Sequence, residues 1–367
     1  MTTTNYAVAP GRYLEEWLED EDMTQAQAGA RLGYSRKHVN GIVNGHAPVN
    51  EETATRLARL TGIPAASWLA YEAAYRADLA RLVDEEGLAK HARSIHSSAA
   101  KYLRDIGATT ATARTPGRLV SDFLAFHRFG TWDAYEQMHD ERTRGDYALA
   151  ALTEQRAALD ATLLSTWLRA GELEEQYERG KECVYSEAAL IELLPELRER
   201  TSRPDGDLLR DVAELLLTAG VVYTRVDAPA SLPLYGMTRW IDKRVPVIQQ
   251  TGRRRKDGFV IWTLFHEIGH VLKDPRGEIH VEYSTEKKRS SAAEKAANAF
   301  AVDTLFGPRG LDPLRDLRGE SSIRAFARET GISPGVVVHQ MHRRRQLDYA
   351  HGNGLCVDLG EDAAWRE

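Results

Sequence analysis

The run Trp262-Thr263-Leu264-Phe265-His266-Glu267-Ile268-Gly269-His270-Val271-Leu272 constrains this chain more than any other stretch. Outside His266, Glu267 and His270 it is almost wholly apolar, and a helix apolar on every side must be buried on every side. Histidines four apart stand one turn apart on one helix face, so their imidazoles can share one zinc ion. Glu267 lies about 100° further round, a position suited to a general base acting on the attacking water, not to a ligand. Hydrolytic zinc takes three protein ligands and keeps a fourth position open, so the fold must bring a third ligand to this helix.

Downstream, the run from Ser291 to Ala301 is alanine-rich and free of Gly and Pro, and reads as a second helix capped by Ser290 or Ser291. Glu294 and Asn298 share a face four residues apart. In that arrangement Glu294 supplies the third ligand, and Asn298 holds a ligand imidazole or the metal-bearing helix from outside the coordination sphere.

These two segments, Phe265-His-Glu-Ile-Gly-His270 and Glu294-Lys-Ala-Ala-Asn-Ala-Phe-Ala301, resemble the ImmA/IrrE family of zinc metallopeptidases, whose second motif runs Glu-x-Glu-Ala-Asn-x-Phe-Ala. Ala296 departs from it, standing where the family often has a second acid. The ligand maps onto the first acid, Glu294, so the resemblance implies an intact zinc site.

A chain of 367 residues exceeds one comfortable core and implies two or three domains. No apolar run is long enough to span a bilayer, and the N-terminus has no charged-then-apolar signal segment, so the expected compartment is the cytoplasm, without a membrane partner. Cys183 and Cys356 stand far apart without Cys-x-x-Cys spacing, so neither a disulfide framework nor a cysteine zinc site is implied. The formal net charge of −6 argues against diffuse nucleic-acid affinity; any DNA contact must use a local basic patch.

The N-terminal segment offers one. Pro10 to Leu18 reads as a helix with Tyr13, Leu14, Trp17 and Leu18 on one stripe, closed by the acidic run Glu19 to Asp22. Thr24 caps a short helix ending before Gly33, and Ser35 caps the next, through Asn44. This is helix-turn-helix spacing. It places Arg36, Lys37, His38 and Asn40, with the cap Ser35, at the start of a recognition helix, while Gln25 and Gln27 open the helix before it and can touch the DNA backbone. The carriers Pro10-Gly11, Thr24-Gln-Ala-Gln27, Leu32-Gly33-Tyr34-Ser35-Arg36, Asn44-Gly45 and Ala54-x-x-Leu57-Ala58-x-x-Thr61-Gly62, with Trp68-Leu69 and Tyr75, resemble the Xre-type helix-turn-helix of the HigA-like antitoxin branch. Residues 1–78 nevertheless hold seven Lys/Arg against ten Asp/Glu, so a bundle kept for protein contacts is the competing reading. Symmetric DNA half-sites would require a homodimer.

From Leu79 to Thr201 the chain reads as a helical connector or sensor region: a helix ending near Gly87, others over Lys90 to Asp105, Val120 to Arg128 and Asp146 to Leu168, and a loop over Thr109 to Pro116. Ser202-Arg-Pro-Asp-Gly206 marks a boundary. A helix over Asp207 to Ala219 and strands over 221–226, 235–241 and 245–250 follow, forming a small sheet beside the metal helix whose edge could receive an extended peptide. Gly236-Met-Thr-Arg-Trp240 also resembles the ImmA/IrrE members fused to helix-turn-helix domains. The basic run Arg253-Arg-Arg-Lys256 reads as a solvated loop, or as a holder of an acidic substrate segment or DNA. His280 and Tyr283 are candidate donors to an oxyanion. Two tail helices, Ser321 to Arg328 and Pro334 to Tyr349, carry Arg343-Arg-Arg345 and read as packing on the peptidase core.

The expected architecture is multidomain and mainly α: an all-α helix-turn-helix bundle over 1–78, a helical region over 79–201, an α+β HExxH metallopeptidase domain with a small, mostly antiparallel sheet over 202–310, and a helical tail over 311–367. The expected function is a DNA-binding regulator with a zinc-dependent endopeptidase domain that cleaves a partner protein, a repressor or toxin-system component, in a stress or toxin-antitoxin response. Its partners would be a double-stranded DNA operator and that protein. The alternative is a HigA-like antitoxin or repressor whose peptidase fold only binds or senses.

Overall fold

The computed structural model describes residues 6–144, 160–283 and 292–360. The chain divides into two compact units, Met1–Arg93 with Thr110–Asp122, and Ser94–Thr109 with Phe123–Glu367. No helix among the described residues is long and apolar enough to cross a membrane.

In the first unit, α1 (Gly11–Asp20), α2 (Gln25–Leu32), α3 (Arg36–Val43), α4 (Glu51–Thr61) and α5 (Ala65–Leu88) follow local signals closely. Thr24 and Gln27 form a reciprocal capping box at the start of α2. Gly33 ends α2 at φ 72°, a left-handed turn that any side chain would strain. Ser35 caps α3 and Asn50 caps α4. Leu14, Leu18, Leu32, Val39, Ile42, Leu57 and Trp68 close into one apolar core. The expected boundary at residue 78 falls inside α5, which runs unbroken to Leu88. Nothing in Tyr75 to Leu82 breaks a helix, so a change in composition there marks no change in backbone.

Beyond α5 the expected helix over Lys90 to Asp105 is interrupted: a 3-10 turn covers Ala89–Ser94, and α6 (Ser97–Asp105) starts afresh, its Ser98 amide donating to His96 Nδ1 at 3.1 Å. Next come α7 (Pro116–His127), which begins on a proline, α8 (Trp132–Arg144) and α9 (Ala161–Glu172). Much of the expected Asp146 to Leu168 helix lies outside the described residues; α9 itself begins at Ala161, where Asp160 accepts from the Thr162 and Leu163 amides. After α10 (Glu175–Gly180), α11 (Glu187–Ser202) and α12 (Leu208–Thr218), the boundary expected at 201 also moves. Leu190, Leu193 and Leu197 of α11 share the core with Leu208, Val212 and Leu216 of α12 and with the metal-motif helix, so the α+β core starts near Tyr185.

The sheet has four strands in the order β1-β3-β2-β4: β1 (Val222–Val226), β2 (Leu234–Ile241), β3 (Val245–Thr251) and β4 (His280–Tyr283). β1 runs parallel to β3; the β2–β3 and β2–β4 pairs are antiparallel. Three strands were readable from sequence, whereas β4 is a short edge strand that pairs Thr238 with His280.

Between β3 and β4 runs α13 (Asp257–Lys273), buried along nearly its whole length, as its apolar composition demands. α14 (Ala292–Phe306) lies against it. A Cβ on Gly269 would come within 2.9 Å of Ala297 Cα, so the glycine between the two histidines is what lets α14 approach. α15 (Gly319–Thr330) and α16 (Pro334–Arg343) complete the core. The fully buried Asp257 carboxylate fastens the start of α13, accepting from Ser333 Oγ and, at 2.9 Å, from the Val357 amide. Burial raises its pKa above the ordinary carboxylate value despite these bonds. The other sheet face carries α9 and α10: Gln249 Nε2 donates to the Trp167 carbonyl at 2.7 Å, and Arg239 lies over the Tyr177 ring.

Candidate metal centre and helix-turn-helix surface

His266 and His270, one turn apart on α13, aim their Nε2 atoms at one point, 3.1 Å apart, with their rings edge to face. Glu294, in the first turn of α14, brings its carboxylate oxygens to 3.5 Å from His266 Nε2 and 3.8 Å from His270 Nε2. The three residues can offer one ligand atom each, all within 4.8 Å of one another. Both imidazoles are almost completely buried. The structure brings Glu294, the third residue named from sequence, beside the pair.

The donor set fits a zinc ion on a second ground. His270 Nδ1 lies 2.6 Å from Asp274 Oδ2, so the proton belongs on Nδ1 and the Nε2 lone pair faces the cluster. Burial pushes the His270 pKa down, but the Asp274 hydrogen bond and the charges of Glu267, Glu294 and Asp274 outweigh it and leave the group above its ordinary value. A site so rich in negative charge favours a cation.

Asp274 carries more than His270. His280 Nε2 stands 3.1 Å from the same carboxylate oxygen, and its ring stacks on His270 at 4.0 Å with an interplanar angle of 9°. His280, weighed from sequence as an oxyanion donor, is therefore turned toward Asp274, making a partly buried His270–Asp274–His280 array. The side chain of Tyr283 lies outside the described residues. Asp274 went unnoticed in the sequence, although its four-residue spacing from His270 was the available signal.

Glu267 is 1% exposed and accepts from Thr238 Oγ1 at 2.5 Å. Thr238 belongs to β2, so the sheet fixes the carboxylate rotamer beside the two imidazoles. The Gly236-Met-Thr-Arg-Trp240 run had suggested a family likeness but no role for Thr238; strand alternation, which turns Thr238 toward α13 and Arg239 away, supplies the role.

Asn298 differs from expectation. Its Nδ2 donates to the Glu294 carbonyl at 2.7 Å, and its Oδ1 accepts from Arg343 Nη2 at 3.3 Å. It bonds neither ligand imidazole. Its reach to α13 is indirect, through Arg343, whose guanidinium lies 5.4 Å over the Trp262 ring.

In the helix-turn-helix unit, the expected DNA-facing residues separate into two groups. Arg36, Lys37 and Asn40 are exposed at the start and along one side of α3. Gln27 and Ser35 cap their own helices, accepting from the Thr24 amide at 2.9 Å and the His38 amide at 3.1 Å. His38 tilts against the Tyr34 ring at 4.4 Å, and Gln25 Oε1 accepts from Asn40 Nδ2 at 3.3 Å, tying the ends of the two helices together. The two exposed cations are the part of this surface best able to meet phosphate.

Residues 14–68 match the family model described as Helix-turn-helix. The N-terminal part of this protein is thus a helix-turn-helix domain. A solved structure of an addiction module antidote protein of a HigA family from Coxiella burnetii is similar at 28% identity over 23% of this chain and 92% of its own, with a TM-score of 0.21. No curated protein matches the chain.

Proposed function

We propose that this protein is a DNA-binding regulator that carries a zinc-dependent endopeptidase and cleaves a partner protein, a repressor or a toxin-system component. The observation that carries the reading is the convergence of His266, His270 and Glu294 beside a Glu267 carboxylate held by Thr238. The ImmA/IrrE resemblance of the same residues agrees with it.

Bound there, zinc would supply Lewis acidity to a peptide carbonyl and leave one position open. Glu267 takes the proton from the attacking water and returns it to the departing amine. Thr238 keeps Glu267 aimed, and Asp274 keeps His270 in the tautomer that leaves Nε2 free. The edge strand β4 gives an extended polypeptide a backbone to pair with next to the cluster. Near-complete burial of the reacting side chains strengthens each of these interactions.

At the other end of the chain, α3 enters the major groove with Arg36 and Lys37 on phosphates and Asn40 toward base edges. A homodimer would match a two-fold operator. The division of labour is a DNA reader in the first unit and a hydrolase in the second, with the region between serving as connector or sensor.

The test is direct. Zinc-loaded protein is incubated with the products of neighbouring genes, and new N-termini are identified by mass spectrometry. The reading expects one or a few discrete cuts in one protein, abolished by a chelator and restored by zinc. Tight binding of that protein without any cut would favour the antitoxin reading instead.

A further inference from the structure

The face of α13 that bears His266 and His270 continues toward its N-terminus through Trp262 and Phe259, at the three- and four-residue steps of one helical stripe. Around that extension the fold gathers cations. Arg343, from the end of α16, lies 5.4 Å over Trp262 and touches Asn298, one turn beyond Glu294. Arg254 lies 5.2 Å over both Tyr235 and Phe259. Tyr235 adjoins Gly236, where a Cβ would stand 3.4 Å from Glu267 Oε1, so the strand that carries this ring also borders the Glu267 carboxylate. His339 fills the space between, 5.5 Å from Phe259 and 6.5 Å from Trp262.

The two guanidinium groups share a feature. Both side chains are exposed, and among the described residues neither is ion-paired with a carboxylate; Arg343 donates instead to the neutral Asn298 amide. Their neighbours in the basic run are otherwise engaged: Arg253 donates to the Pro229 and Ala230 carbonyls, and Lys256 pairs with Asp358 at 3.3 Å. Burial, and then the charges of Arg343 and Arg254, push the His339 pKa down to about 3, so both cations act on one place. A neutral His339 between them adds no counter-charge. Each guanidinium lies over an aromatic ring, and its fork of N–H donors suits a planar carboxylate.

We infer that Arg254 and Arg343 select a carboxylate on the polypeptide substrate, so that the site prefers chains with an acidic group near the bond to be cut. This inference rests on the endopeptidase reading for its consequence, but the recognition it describes is a binding property. The carboxylate could come from an Asp or Glu side chain or from a free C-terminus; the same fork of N–H donors serves either.

Binding is measured in zinc-loaded Glu267→Gln protein, which keeps the proposed ligands. The probes are fluorescein-labelled peptides of one alanine-leucine sequence, C-terminally amidated, with a single Glu or Gln walked along it; a further probe has no acidic side chain but a free C-terminal carboxylate. At the favoured position Glu should bind about tenfold more tightly than Gln, a typical return for a charge-assisted hydrogen bond. That preference should fall to near unity in the Arg254→Gln/Arg343→Gln double variant and be reduced but not abolished in the Arg254→Lys/Arg343→Lys double variant, which keeps the charges without the planar fork, with zinc content and melting temperature confirming the fold of each. Preference for the free-C-terminus probe alone would assign the carboxylate to a chain end. Equal affinity for the Glu and Gln series with no gain from a free C-terminus, or a preference that survives loss of both cations, would overturn the inference. Should wild-type protein cut nothing while the Glu preference holds, the endopeptidase reading fails and carboxylate recognition stands.

Discussion

The two ends of this protein hold their functional side chains in opposite ways. At the His266–His270–Glu294 cluster the imidazoles and Glu267 are buried, and Asp274, Thr238 and the close helix approach at Gly269 hold the arrangement in place. On α3 the residues facing solvent, Arg36, Lys37 and Asn40, stand exposed, while Ser35 and Gln27 stabilise the helices themselves. Bond-breaking chemistry needs a constellation fixed before the substrate arrives. Binding to phosphate needs long cationic side chains able to settle on their partner, and most of that affinity comes from charge. Rigidity is therefore informative at one end and uninformative at the other.

That contrast predicts how each end breaks. The largest effect belongs to the ligands: His266→Ala or His270→Ala leaves two of three donors, so zinc, expected at about one per chain, should be stripped on dialysis against a mild chelator that wild type survives. Metal analysis beside protein concentration reads this. Next comes Asp274→Asn, which keeps the shape of the side chain but no longer holds the His270 tautomer by charge; zinc affinity should fall by about 10- to 100-fold. A competitive zinc chelator series measures it, and unchanged affinity would mean that Asp274 does not position His270.

At the other end, Arg36→Ala/Lys37→Ala should weaken operator binding and reduce the slope of log affinity against log salt by roughly one unit for each phosphate that the variant no longer neutralises. The melting temperature should scarcely move, because neither side chain belongs to the core. An unchanged salt slope would show that α3 is not the reader. The smallest effect concerns acid stability. The His339 pKa is depressed to about 3, so the folded state keeps this ring neutral while the unfolded chain binds a proton below about pH 6.5. Stability contributed by the neutral ring is complete above that pH and disappears as pH falls from about 6.5 toward 3. His339→Gln should therefore show a shallower fall in urea midpoint between pH 7 and pH 4.5 than wild type.

Much of the candidate site's geometry was legible because helical spacing is arithmetic. His266, His270 and Glu294 needed only two helices and one close approach. The helix-turn-helix was legible for a related reason, since Thr24, Gly33 and Ser35 act through their own backbone neighbours. Thr238 was missed because it reaches α13 from a strand, and Asp274 because it sits just past the helix end, although its spacing from His270 is local. β4 was missed because a four-residue edge strand has too few alternations to show a period. Asn298 bonds the Glu294 carbonyl and Arg343 and neither imidazole, and no local rule foretells an arginine from α16. Composition changes near 78 and 201 while the helices and their leucine packing continue, so backbone and core do not follow the compositional boundaries.

The central claim is that the buried cluster performs hydrolysis and does more than bind. Glu267→Gln tests it most directly, because the substitution removes the base while leaving His266, His270 and Glu294 in place. Wild type and Glu267→Gln are matched for zinc content and operator affinity and scored for disappearance of the partner protein. The account predicts that cleavage slows by a factor of about 10² or more while zinc and DNA binding persist. Equal loss of the partner in both proteins would contradict it.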